Sequence, residues 1–128
     1  MSKGTSGEKG KDERVKILDI YAYLLNNIWR RVLPVMGKRT VVAIMKRALA
    51  LTEPQNPFIR HLRVTGEGFS FEGLYNRALG EKTETIRAAF RDFTANVIEI
   101  ITILTGDILT QRLKEMINGK DTDDRAGR

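Results

Sequence analysis

The chain has no cysteine, which removes disulfides, thiolate metal ligands and cysteine nucleophiles together and suits a reducing compartment. Histidine is nearly absent too: His61 stands alone. A zinc site needs three or four ligands drawn from His, Cys and carboxylates, so no metal is expected. A haem ligand at His61 has nothing else to support it, and the residue reads as structural or exposed. Serine is scarce, and neither Ser2, Ser6 nor Ser70 sits in a GxSxG elbow. No GxxxxGK[ST] phosphate loop occurs. Gly66-Glu67-Gly68 opens like a dinucleotide fingerprint, but Phe71 occupies the third glycine position and there is no βαβ context. Asp121-Thr122-Asp123-Asp124 opens like a calcium loop, yet Arg125 and Ala126 fill the positions of a ligand and a glycine. Glu67, Glu72, Glu81 and Glu84 read as turn and helix-start acids, where a negative charge suits the helix dipole. A non-catalytic protein without cofactors is the expectation.

Long apolar runs are lacking as well. The most apolar stretch, Val97 to Leu104, is broken by Glu99 and falls far short of the roughly 20 residues that span a bilayer. Met1 to Glu13 is polar and charged, without the apolar stretch of a secretion leader. A soluble, cytoplasmic protein with no membrane span is expected.

What the chain does have is an ordinary apolar content of 41% over 128 residues, which suits one domain with one core. Residues 1–13 and 118–128 read as flexible polar tails around a single helical domain at 14–117. Leu18, Tyr21, Leu25, Ile28, Val32 and Val35 repeat at steps of three and four and predict a helix over 14–33, with Pro34 and Gly37 kinking or ending it. A second helix follows, with Thr40 as N-cap and Val41, Val42, Ile44, Met45, Ala48 and Leu49 as its apolar residues; Pro54 and Pro57 end it. Leu62 to Phe71 alternates about Gly66-Glu67-Gly68 and predicts a small β-hairpin lying on the helices. A short helix over 72–79 stops at Gly80. Ile86, Phe90, Phe93, Val97, Ile100 and Leu104 predict a last long helix, interrupted by Gly106. Asp107 then caps a final helix bearing Ile108, Leu109, Leu113, Met116 and Ile117. The expected fold is mainly α, a bundle of four to five helices with one hairpin.

Charge is unevenly spread. From Leu25 to Arg63 eight basic residues face one acid, Glu53, whereas from Val64 onward nine bases meet eleven acids. Arg30, Arg31, Lys38, Arg39, Lys46 and Arg47 form doublets eight residues apart, with Arg60 and Arg63 beyond. Eight helical residues return only to within roughly 80° of the start, so one helix face cannot collect them. A solvated cationic surface is the plain reading; anion or nucleic-acid contact is the functional one, with anionic lipid or an acidic protein as further candidates. An anion at the free amides of Thr40 to Ala43 would relieve the clash of Lys38 and Arg39 with the helix dipole. Trp29 could stack a base, though tryptophan in a helix more often packs.

The two long helices, about 30 Å each, carry apolar residues on more than one side: Ile17 and Leu24 in one, Ile98, Ile101 and Ile103 in the other. That excess predicts a homodimer or partner interface at Leu18, Tyr21, Leu25, Ile28, Phe90, Phe93, Val97 and Ile101. An apolar ligand held between helices is a further expectation.

Asn56-Pro57-Phe58, the Val64-to-Phe69 turn, Gly37…Ala43-Ile44…Arg47-Ala48-Leu49, and above all Leu104-Thr105-Gly106-Asp107-Ile108-Leu109 resemble a small helical accessory module of archaeal and bacterial signal-transduction proteins, sensor kinases among them. The resemblance spans residues 14–117. It implies a regulatory, protein-interaction role with a signalling protein as partner, and it carries over no catalytic residue. The chain departs from a kinase in having no phosphoacceptor histidine helix and no ATP-binding glycine boxes. Two functions are therefore in play: a non-catalytic regulatory module of microbial signalling that dimerises through its long helices, and a basic nucleic-acid-binding protein using Arg30 to Arg63.

Overall fold

Asp12 opens the first helix, because its carboxylate accepts a hydrogen bond from the Arg14 amide at 2.8 Å, pairing an otherwise orphan donor. The computed structural model describes residues 12–106 and 111–118. Helix α1 is Glu13–Met36, so Asp12 and Glu13 belong to the helix rather than to a tail. It runs through Pro34, and Gly37 ends it instead, with φ at 87° and its amide donating to Leu33 O. Pro34 gives up the amide bond to the Arg30 carbonyl, but only Val35 and Met36 of the helix follow it.

Helix α2, Lys38–Thr52, follows after the single residue Gly37. Gly37 rather than Thr40 is its N-cap, and no side-chain capping bond forms. Pro57–His61 makes one 3₁₀ turn. Strands β1, Arg63–Thr65, and β2, Gly68–Ser70, pair antiparallel with Val64 opposite Phe69. Leu62 and Phe71, expected in the strands, flank them and are buried. Thr65 Oγ1 fastens the two-residue turn, donating to Gly68 O at 2.9 Å and accepting from the Glu67 amide at 3.0 Å. Helix α3 is Glu72–Ala78, and helix α4 is Thr83–Thr105, ended by Gly106 at φ 83°. Residues 111–118 are helical again. The predicted Asp107 cap, Ile108 and Leu109, the Asp121–Asp124 acids and most of both tails lie outside the described residues. The mainly helical bundle with one small hairpin is the observed architecture, and no described helix is long and apolar enough to cross a membrane.

One core joins these elements. Leu18, Leu25, Ile28 and Val32 of α1 meet Val41, Met45 and Ala48 of α2 and Ile86, Phe90, Phe93, Val97 and Ile101 of α4, all fully buried. Trp29 is 5% exposed and packs edge-on against Phe69 at 5.2 Å between ring centroids, so it is a packing residue that seats the hairpin on the helices. Leu113, from 111–118, closes one end. Thr52 is the one polar residue buried there among the described residues: its hydroxyl donates to Ala48 O at 2.7 Å and accepts from Asn96 Nδ2 at 2.8 Å, tying α2 to α4.

Candidate functional site

The residues expected to form a partner interface are interior instead. Leu18, Leu25, Ile28, Phe90, Phe93, Val97 and Ile101 are all completely buried within the subunit, and Tyr21 is half-buried, stacked on Phe90 at 5.1 Å. Ile17 and Leu24, read as a second apolar side, are also core. The reason is geometric: hairpin and helix α3 add cover beside α2 that a two-helix count overlooks. The exposed large apolar side chains among the described residues are others, namely Ile20, Tyr23, Val35, Leu51, Leu79, Ile103 and Leu104.

One of these, Ile103, lines an open apolar groove of about 710 Å³ between α1, α4 and residues 111–118. Tyr21 and Leu24 form one wall; Thr94, Ala95, Ile98, Thr102 and Ile103 form the other, and Ile117 and Lys114 close an end. Ile103 is 73% exposed along it. Arg91, Lys114 and Glu99 bring the charge. Thr102 and Thr105 turn their hydroxyls back onto the Ile98 and Ile101 carbonyls. Thr94 does not: its Oγ1 is buried with no hydrogen-bond partner among the described residues.

The basic residues all lie on the surface. Arg30, Arg31, Lys38, Arg39, Lys46, Arg47, Arg60 and Arg63 are each exposed. Arg30 donates to Asn27, and Lys38 reaches Glu67 across the hairpin turn at 3.9 Å. Lys38 and Arg39 form the first turn of α2 rather than preceding it, and Gly37 O occupies the Val41 amide at 3.0 Å. The free amides there are therefore Lys38 to Thr40, not Thr40 to Ala43. Lys46 and Arg47 stand about 12 Å further along the helix.

Arg60 and Arg63 of the eight share a cavity. It measures about 420 Å³ and lies between the 3₁₀ turn, β1 and α3, with His61, Gly73, Asn76 and Arg77 as its other walls. Arg77 escaped sequence reasoning because it sits in the mixed-charge half of the chain, and only the packing of α3 delivers it here. Gly73 makes that packing close: a Cβ at this position would stand 3.0 Å from the His61 carbonyl oxygen. His61 feels the result. Burial first, then the charges of Arg77 and Arg60, hold its pKa below the usual 6.5, with Glu81 opposing weakly. Elsewhere, burial and a hydrogen bond donated to the Asp19 carboxylate push the Tyr75 phenol well up, a structural tie between α1 and α3.

No protein-family model matches the chain, and no curated protein or solved structure is significantly similar to it.

Proposed function

We propose that this chain is a non-catalytic regulatory module that acts by protein–protein contact in microbial signalling, with a second copy of itself as first partner. What supports this reading is the open apolar groove beside α4, with Ile103 73% exposed along it. Contiguous apolar surface of this kind marks interaction sites. The signalling setting rests on the resemblance described above. Light scattering at micromolar concentration tests the contact: a dimer is expected, and Ile103→Glu should return it to monomer without lowering the melting temperature. A wild-type monomer at high micromolar concentration would overturn the reading.

Nucleic-acid binding is a second reading, favoured by the exposure of all eight basic residues from Arg30 to Arg63. Phosphate neutralisation makes such affinity fall steeply with salt. A random duplex should bind at low salt and release at high salt, and undetectable binding at low salt removes this alternative.

A further inference from the structure

We propose that the cavity walled by Arg60, Arg63 and Arg77 binds a compact phosphoryl dianion, the phosphate group of a small phosphomonoester. This site is separate from the apolar groove. Three guanidinium-bearing residues from three elements share it, and no carboxylate is among its walls. None of the three makes an ion pair among the described residues. Asn76 adds an amide donor and His61 an imidazole edge. Arginine's planar fork matches phosphate oxygens two at a time, so bound phosphate would neutralise charges that otherwise repel one another. Glu81, beyond the end of α3, acts on His61 more weakly than Arg77 or Arg60 does, which leaves the balance positive.

The arrangement is built rather than incidental. Arg60 is held by the 3₁₀ turn that follows Pro57, whose ring presets the backbone. Arg63 sits on β1, opposite Ser70. Arg77 lies one helical turn beyond Gly73, and Gly73 is where α3 touches the His61 backbone. The volume of about 420 Å³ falls within the range of small-molecule pockets.

The single histidine makes the site directly observable. In the full chain at pH 7.5 and constant ionic strength, inorganic phosphate should shift the His61 ring-proton NMR signals saturably, whereas chloride should not. In sulfate, which keeps two charges across the titration, the His61 midpoint should rise toward 6.5, because an anion offsets the arginines. Arg77→Gln, an exposed position, should weaken phosphate binding about tenfold with Trp29 fluorescence unchanged. A linear response identical in chloride would overturn the proposal, as would Arg77→Gln binding phosphate like wild type. A duplex that shifts His61 where phosphate fails would also overturn it and assign the cations to nucleic acid.

Discussion

Asp12 and Arg14 show how much two side chains can fasten. The Asp12 carboxylate caps α1 and accepts from Arg14 Nε at 2.7 Å and Nη2 at 2.8 Å. Arg14 Nη1 then donates to Leu79 O at 2.9 Å and Glu81 O at 3.2 Å, clamping the α3–α4 link to the start of α1. These hydrogen bonds from Arg14 lower the Asp12 pKa to about 2. A depressed carboxylate stabilises the fold fully above its unfolded value near 3.8 and loses that contribution as pH falls through 2. Asp12→Ala is therefore expected to lower the thermal midpoint at neutral pH, with the deficit narrowing in acid. At His61 the folded pKa is also depressed, so the unfolded chain takes up the proton first. The His61 contribution is complete above 6.5 and is lost as pH falls through the folded value. Urea midpoints should start to decline below pH 6.5, and His61→Gln should flatten that part of the curve.

Helices α1 and α2 meet at one residue, and its backbone decides the junction. Gly37 has φ 87° and ψ 157°, a region open essentially only to glycine. A Cβ there would touch nothing within 4 Å, so the barrier is conformational and not steric crowding by neighbours. Gly37→Ala should cost about 1–3 kcal/mol in chemical denaturation. Gly66 is the internal control: its φ is not positive, and a Cβ would make ordinary contact with Lys38 at 3.5 Å. Gly66→Ala should be neutral or stabilise by up to about 1 kcal/mol through a stiffer unfolded chain. Equal losses at both positions would refute a backbone origin. Much of this level was readable from sequence. Apolar spacing located both long helices, and Gly106 marked an end correctly. Of the Pro34 and Gly37 stop signals it was Gly37 that ended α1, after the helix had run two residues past the proline, and Thr40 misled because Gly37 starts α2 three residues earlier than a capping side chain would.

Across the whole molecule, one core links α1, α2, α4, the hairpin and residues 111–118. Trp29 is the only tryptophan, and it lies on Phe69 of β2, which itself meets Phe93 of α4 at 6.0 Å between centroids. Unfolding should accordingly be a single transition, with Trp29 fluorescence and far-UV circular dichroism superimposing in urea. Separate midpoints would mean that the hairpin leaves the helices independently. Local spacing of apolar residues, glycines and turn formers depends on near neighbours along the chain, and this much the amino-acid order determined: helices, hairpin, and a charge-rich stretch that had to stay wet. Which apolar faces remained open was decided by tertiary packing. Burial depends on what comes to lie across from a side chain, so the residues that looked most available for a partner became the interior. The same packing carried Arg77 to Arg60 and Arg63, because a convergence of charge from distant segments has no period along the chain.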